Sequence, residues 1–356
     1  MPSRRELARG IRAVLARRGW RLRGRAGQEL AAKLARLVEH RRGSASVAER
    51  HEGNEGVDLL LRTTFACNQR CPFCFVPLTG RRVELAAIER ELKALGRRPR
   101  GRRELTISGG EPTADPRLPR ILKEAKGAGF RNIVLQTNGV LLDRPERVAR
   151  LAELGVGSVM VSFHSHRPRL YDKSTGSRGL YPRAVAGLKN LLAEKRIRLT
   201  VNIVVNRWNY KDLPGYVGFL GKLCRGLART RRPGVYFSMI NEAGHLDAPG
   251  WTVSLEAAAP YLRRALARCR AEGLRVERFG AESSFPVCVT EEPARYAAQR
   301  AFPQDRVRYG ADVPAEGPAV GRAKSEGCRR CFYDSRCVGV PVQYARLFGL
   351  GALKAP

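Results

Sequence analysis

The sequence predicts an α/β protein built around a largely parallel sheet, and three features point there. Six short runs rich in Val, Ile and Leu alternate with six stretches of helical periodicity between residues 57 and 272. The apolar runs are continuous, the pattern of strands buried on both faces of a parallel sheet. A chain of 356 residues with 43% hydrophobic residues can bury a substantial core and is too apolar to be disordered.

Residues 1–55 read as a basic helical extension. Leu7, Ile11, Val14 and Leu15 share one helical face, and Leu30, Leu34, Leu37 and Val38 repeat the spacing. Residues 1–50 hold 14 Lys and Arg against 4 Asp and Glu. Either these helices dock their stripes on the body with solvated Arg faces, or they form an anion-binding arm. Strands are expected at 57–65, 104–108, 131–137, 158–163, 198–206 and 234–240. Helices are expected near 83–95, 116–128, 144–154, 180–195, 211–224 and 253–272. Six such β/α units fit a doubly wound sheet and a partial barrel alike. After about residue 275 the pattern turns irregular, punctuated by Pro286, Pro293, Pro303, Pro314 and Pro318 and ending in a cysteine cluster. A small appended domain held together by a metal centre is the reading. The expected division is therefore 1–55, 56–275 and 276–356.

The chain carries 66 Lys and Arg, 55 of them Arg, against 33 Asp and Glu, for a formal net charge of +33. An anionic partner such as nucleic acid, an acidic peptide or anionic lipid would explain this, as would a compositional preference for Arg. No apolar run approaches the roughly 20 residues that span a bilayer, which argues against an integral membrane protein. The nine cysteines are odd in number, and Arg9, Arg12, Arg17 and Arg18 interrupt any secretory apolar segment. Metal binding in a reducing cytoplasm is expected in place of a disulfide framework. An Arg-rich amphipathic start can mimic a transit peptide, but Glu6 and Glu29 weaken that idea.

Two constellations follow the first two strands. Cys67-x3-Cys71-x2-Cys74, shaped by Pro72, offers three thiolates that can wrap one corner of an iron–sulfur cube and leave one iron open. Asn68, Gln69 and Arg70 are poor candidates for the fourth ligand that structural zinc needs. The loop after a strand's C-terminal end is where barrel catalytic residues sit. Ser108-Gly109-Gly110-Glu111-Pro112 pairs glycines, which let backbone approach a ligand closely, with a carboxylate able to receive an ammonium group. A third constellation, Cys288 with Cys328-x2-Cys331-x5-Cys337, is a metal signal that suits zinc or iron–sulfur. Cys224 and Cys269 lie among Leu220, Leu223, Leu262 and Leu266 and read as small core residues.

The first two constellations together resemble the radical S-adenosylmethionine (radical SAM) superfamily, over roughly residues 57–275. That resemblance implies a partial (β/α)6 barrel resembling a TIM barrel. It implies that Cys67, Cys71 and Cys74 hold a [4Fe–4S] cluster whose open iron chelates S-adenosylmethionine. Phe73 would lie near the adenine, and Gly109, Gly110, Glu111 and Pro112 would grip the methionyl ammonium. Thr137-Asn138-Gly139 after the third strand, Ser162 ending the fourth and Asn202 in the fifth match cofactor-binding positions of the family. Many relatives carry Leu-Asp-Gly after Ser162, whereas Phe163-His164-Ser165-His166 stands here, so that Asp's role is not carried over. His164 and His166 are the candidate proton-transfer groups beside a substrate cavity.

The C-terminal cysteines resemble twitch or SPASM-type extensions, which implies a second, auxiliary [4Fe–4S] cluster on Cys288, Cys328, Cys331 and Cys337. If Cys288 is not a ligand, that cluster has an open iron. The function so implied is reductive cleavage of S-adenosylmethionine and hydrogen abstraction from a substrate by the 5′-deoxyadenosyl radical. A peptide or protein side chain, or a small metabolite, is the expected substrate, and flavodoxin or ferredoxin the expected electron donor. Residues 1–55 are too short for a complete winged-helix leader-peptide domain. The alternatives are a radical SAM enzyme acting on RNA, suggested by the charge, and a zinc-stabilised nucleic-acid-binding protein.

Overall fold

The structure, a computed structural model, describes residues 58–96, 104–240, 248–277, 284–297, 307–309, 322–334 and 337–354. The basic extension expected over 1–55 lies outside the described residues. Strands and helices alternate as β1 (Asp58–Arg62), α1 (Leu85–Gly96), β2 (Glu104–Ser108), α2 (Leu118–Gly127), β3 (Asn132–Thr137), α3 (Pro145–Glu153) and β4 (Val156–Ser162). Then come α4 (Pro168–Thr175), α5 (Tyr181–Ala193), β5 (Arg198–Val204), α6 (Leu213–Leu223), β6 (Gly234–Ser238), the short α7 (Ala248–Trp251), α8 (Leu255–Ala271) and β7 (Arg275–Val276). The C-terminal segment adds α9 (Pro293–Ala297), β8 (Val307–Tyr309), β9 (Arg322–Ala323), β10 (Val340–Pro341) and α10 (Val342–Phe348).

Strand order decides between the two architectures left open by periodicity. The main sheet runs β7-β6-β5-β4-β3-β2-β1-β8, and every pair in it is parallel. A doubly wound sheet reverses its order at a switch point; this one never does between β1 and β7. Right-handed crossovers that always advance the same way put every helix on one face, which is how a barrel is wound. β7 and β8 stand at opposite edges, so the barrel is not closed.

Burial follows from that winding and corrects one sequence expectation. The strands are not apolar on both faces. Leu105, Ile107, Leu135, Val159, Val161, Val201, Ile203 and Phe237 point toward the helices and are almost wholly buried. Their neighbours Thr106, Ser108, Gln136, Ser158, Ser162, Thr200 and Asn202 point the other way and are half-buried. With a side-chain period of two, the outer face is therefore aliphatic, while the inner face mixes these polar side chains with Leu60, Val134, Met160 and Tyr236.

Helix α4 was not expected from sequence. Only Leu170 and Tyr171 are apolar in it, too few to show a period. Pro168 sits in its first turn and Gly176, at φ 56°, ends it with a backbone N–H bonded to the Asp172 carbonyl. The C-terminal segment shares the barrel's core through Phe285, Val287, Val289, Tyr296, Tyr344 and Leu353. The Tyr344 hydroxyl accepts from the Leu255 N–H at the start of α8, at 2.8 Å. Among the described residues, no helix is long and apolar enough to cross a membrane.

The two strand faces differ in what a truncation removes. Ile107→Ala should lower the unfolding free energy by about 2–5 kcal/mol. Thr106→Ala, one position along on the open face, should change it by less than about 1 kcal/mol, read by chemical denaturation.

Candidate active site

The site begins where β1 and β2 stop being strands but keep pairing. The Thr63 N–H donates to the Ser108 carbonyl (3.1 Å), Gly110 N–H to Thr64 (2.7 Å) and Glu111 N–H to Ala66 (2.8 Å). Two glycines are needed for this approach. A Cβ on Gly109, whose φ is 143°, would stand 2.4 Å from the Thr64 carbonyl oxygen, and one on Gly110 would stand 2.1 Å from that of Ala66. The glycine pair thus brings the loop after β2 onto the cysteine loop itself. Arg117 fastens both loops from below: it forks onto Asp115 (2.9 and 2.8 Å) and donates to the Val83 and Thr63 carbonyls (2.7 and 3.1 Å).

Glu111 is buried and caps the short turn Pro112–Ala114. Its Oε1 accepts from Thr113 N–H (2.9 Å), Thr113 Oγ1 (2.6 Å) and Thr137 Oγ1 (2.6 Å), and its Oε2 from Asn138 N–H (2.7 Å). Burial pushes this carboxyl up and the four donors draw it down. Most of its capacity serves the protein, leaving Oε2 room for one further donor. Asn138 completes the tie, donating to Asn68 Oδ1 at 2.6 Å and lying 4.0 Å from Cys67 Sγ. Gly139, at φ 74°, turns the chain away.

The three cysteines are half-buried around this tie. Burial first, and then the charges of Glu111 and Cys74, push Cys67 up to about 11. Cys71 is driven well up by burial and by both other thiols, and Cys74 is raised by burial while Arg62 pulls it down. The thiols are thus close enough to repel one another as thiolates, so bound positive charge would favour their ionised, ligating form. Among the described residues no three His, Cys, Asp or Glu side chains converge as a single metal ion requires. A cube takes its thiolates at separate corners, and Gln69 N–H already points at Cys67 Sγ (3.4 Å), so the loop fits a cluster.

Gln69 and Tyr171 were not singled out from sequence. Gln69 is buried, donates to Tyr171 Oη (2.9 Å) and places Oε1 4.0 Å from Cys71 Sγ. Arg70 N–H meets the Thr175 carbonyl at 2.8 Å, so α4 backs the cysteine loop directly. A buried Gln inside the motif was the only available signal.

Phe73 packs with Ile240 and Trp251 and touches the His164 ring edge-on at 5.0 Å. Ser162 and Asn202 are register partners on the open face, and Ser238 Oγ donates to Asn202 Oδ1 at 2.8 Å. The two histidines separate. His164 Nδ1 accepts from Val204 N–H at 3.2 Å, and burial holds its pKa down at about 4. His166 instead packs on Tyr216 and Phe219 of α6, beside Gly215. The structure does not bring them together at one cavity.

Cys288, Cys328, Cys331 and Cys337 line one small recess with Lys324, Asp334 and Lys354. Cys288, forty residues from its nearest partner in sequence, is raised to about 11 by burial and then by Cys337 and Cys328. Tyr333 N–H points at Cys331 Sγ (3.4 Å) and Ser325 Oγ stands 3.4 Å from Cys328 Sγ. Cys224 and Cys269 are buried core residues.

Comparison with known proteins fixes the class. Residues 61–220 match the family described as "Radical SAM superfamily". That segment, 160 of the 356 residues, is similar to the radical SAM family, and the relatives named as cyclases mark an enzyme. The family implies a [4Fe–4S] cluster and S-adenosylmethionine. The chain is 31% identical over 168 residues to the "Probable GTP 3',8-cyclase" of Sulfolobus acidocaldarius, covering 47% of this chain and 53% of that one. It is 35% identical over 181 residues to the "PqqA peptide cyclase" of Rhodopseudomonas palustris, covering 49% and 45%. The chain thus matches about half the length of these relatives. In fold it resembles "Native anSMEcpe with bound AdoMet and Cp18Cys peptide" (TM-score 0.56, 16% identity, covering 84% and 92%). It likewise resembles Streptococcus suis SuiB bound to S-adenosylmethionine (TM-score 0.53, 14% identity, covering 98% and 86%).

Gly110→Ala should force the two loops apart, costing about 1–3 kcal/mol of stability and lowering iron retained per chain. A melting curve and an iron assay read both effects. His164 gives a pH signature. Its folded pKa lies below the unfolded value of about 6.5, so the unfolded chain binds more protons between there and about 4. Stability contributed by the neutral ring is present above pH 6.5 and is lost as pH falls toward 4, by about 3 kcal/mol at most. His164→Gln should flatten that part of the urea-denaturation profile.

Proposed function

We propose that this chain is a radical SAM enzyme acting on peptides, with the cluster held by Cys67, Cys71 and Cys74. One observation carries the reading: the cysteine loop and the Gly109–Pro112 loop are already joined through Thr64 and Ala66 at the open, polar mouth of the barrel. When bound, the cluster and S-adenosylmethionine supply a 5′-deoxyadenosyl radical able to abstract hydrogen from an unactivated C–H bond.

This chain's residues position and seal. The remaining acceptor site on Glu111 Oε2 suits an ammonium group, with Gly110 and Asn138 close by. Phe73, backed by Trp251 and Ile240, offers an apolar face for an adenine. Ser162 and Asn202, on the inner face, offer hydroxyl and amide groups to a ribose or carboxylate. His164, neutral and accepting at Nδ1, fixes the ring beside Phe73. The apolar lining around Phe73 excludes water that would quench a reactive centre.

Peptide chemistry is supported by the relative named a PqqA peptide cyclase and by SuiB, one of whose structures is described as bound to precursor peptide. A second [4Fe–4S] cluster on Cys288, Cys328, Cys331 and Cys337 is part of the proposal, because all four cysteines line one recess. With Cys288 in that set, the auxiliary cluster has no open iron. Residues 276–356 then form the auxiliary domain, 56–275 the barrel and 1–55 the basic extension. Reduced thiols and clusters belong in a reducing cytoplasm. The +33 charge suits an acidic peptide.

Anaerobic reconstitution with iron and sulfide, followed by dithionite and S-adenosylmethionine, should release 5′-deoxyadenosine. Changing Cys67, Cys71 and Cys74 together to Ala should abolish release and remove about half of the iron, roughly four of eight per chain. Absence of cleavage by the wild-type protein, with zinc as its bound metal, would sink the reading.

A further inference from the structure

An aromatic row runs from the cysteine loop to the surface. Phe73, between Cys71 and Cys74, meets the edge of Trp251 at 5.7 Å, and Trp251 meets Trp208 at 6.3 Å. Trp208 is 46% exposed. Two cations dress it: Lys173 Nζ lies 3.1 Å above the ring and the Arg207 guanidinium lies 5.5 Å away.

The same patch borders the cysteine loop along a second route. Lys173 belongs to α4, whose last residue, Thr175, accepts from Arg70 N–H. Arg70 is exposed and folds its guanidinium over the Cys67 carbonyl at 3.3 Å. Arg207 is pinned to the Trp251 turn, its side chain on the Gly250 carbonyl (3.1 Å) and its backbone N–H on the Trp251 carbonyl (2.9 Å). Among the described residues, Arg70, Lys173 and Arg207 pair with no carboxylate. Of the acids on these elements, Asp212 pairs with Arg167 at 2.9 Å, whereas Asp172 accepts from the Gly179 N–H at 3.1 Å through Oδ2 and leaves its buried Oδ1 without a hydrogen bond.

We propose that Trp208, Lys173, Arg207 and Arg70 form the docking surface for a small acidic one-electron carrier that reduces the cluster. The inference rests on the radical SAM reading and adds to it where the electron enters. Charge complementarity selects the partner, since two cations on an exposed ring, with Arg70 toward the cysteine loop, suit an acidic protein face. Arg and Trp are also the residues most often found at the energetic centre of such contacts. The electron balance is simple for a flavin carrier. Its anionic hydroquinone gives up one electron and becomes the neutral semiquinone, the [4Fe–4S] cluster gains that electron, and no proton moves.

The test compares two reductants on the reconstituted full-length enzyme, following loss of the cluster's visible absorbance under anaerobic conditions. With flavodoxin hydroquinone at low salt, Lys173→Glu/Arg207→Glu should slow reduction on the order of tenfold or more, and Trp208→Ala by a similar factor. With dithionite, which needs no docking surface, these variants should match wild type and cleave S-adenosylmethionine equally well. Because the whole chain is basic, Lys123→Glu/Lys189→Glu on the exposed faces of α2 and α5 is the control for general charge. The proposal fails if that control slows flavodoxin as much, or if the target variants leave the flavodoxin rate unchanged. Failure of dithionite to bleach even the wild-type protein would overturn the radical SAM reading itself, an outcome distinct from the other two.

Discussion

A single buried carboxylate organises the mouth of this barrel. An unsolvated Glu is costly unless its oxygens are occupied, and Glu111 fills them with donors from two different loops, Thr113 on its own side and Thr137 and Asn138 on the next strand's. The carboxylate is therefore a tie between β2 and β3. Its neighbours Gly109 and Gly110 tie the same loop to β1 by letting backbone meet backbone. Three loops from three strands become one hydrogen-bonded body, which is what a site must be if cofactor and substrate are to meet in fixed geometry. Glu111 and three thiols share one buried neighbourhood, where burial and mutual repulsion push the thiols up. Bound cations would reverse that shift, and iron together with a sulfonium-bearing ligand would supply them.

The strands were legible because their outward positions, such as Leu105, Ile107, Val159 and Val201, carry the aliphatic signal that registers against the helices. That signal was strong enough to mask Thr106, Gln136, Ser162 and Asn202, whose alternation in the same segments marks the open inner face. The winding direction was not legible, since periodicity carries no strand order. Helix α4 escaped notice because its role is to back the cysteine loop with Tyr171 and Thr175, and it needs little apolar surface to do so. In the site, cysteine spacing exposed the ligands directly. The meaning of Gly-Gly-Glu-Pro was only half readable: the glycines answer to Thr64 and Ala66, partners far away in sequence. His164 and His166 show the same limit. Two residues apart in sequence, they end against Phe73 and against α6, because the loop carrying them is held at the His164 carbonyl by Asn209 and at the His166 carbonyl by Tyr181.

The arginines divide into two populations. Some are structural. Arg117 holds the Val83 and Thr63 carbonyls, Arg231 holds those of Leu192, Glu194 and Lys195 at the end of α5, and Arg232 holds those of Leu227 and Glu272. A planar guanidinium with five donors can satisfy several carbonyls at helix and loop ends, which an ammonium group does less well. Such residues raise the net charge without facing any partner. Others, such as Arg207 beside Trp208, are cations that no carboxylate compensates among the described residues. Net charge therefore overstates the anion-binding surface, and position says more than sum.

The C-terminal cysteines are not an isolated appendage. The recess they line is walled by Pro286, Val287 and Leu353, and Val287 and Leu353 also pack into the barrel core, while Tyr344 of α10 accepts from the first turn of α8. Cys288 sits in the turn Val287–Val289, whose flanking valines are buried in that core, so its position is set by the barrel. Cys328, Cys331 and Cys337 are set by their own knuckle, with Cys331 N–H on the Cys328 carbonyl and Asp334 N–H on the Cys331 carbonyl. A metal centre bound by all four thiols would join these two parts covalently. It would act as a clamp between barrel and tail, and its binding energy would be folding energy for the segment that follows.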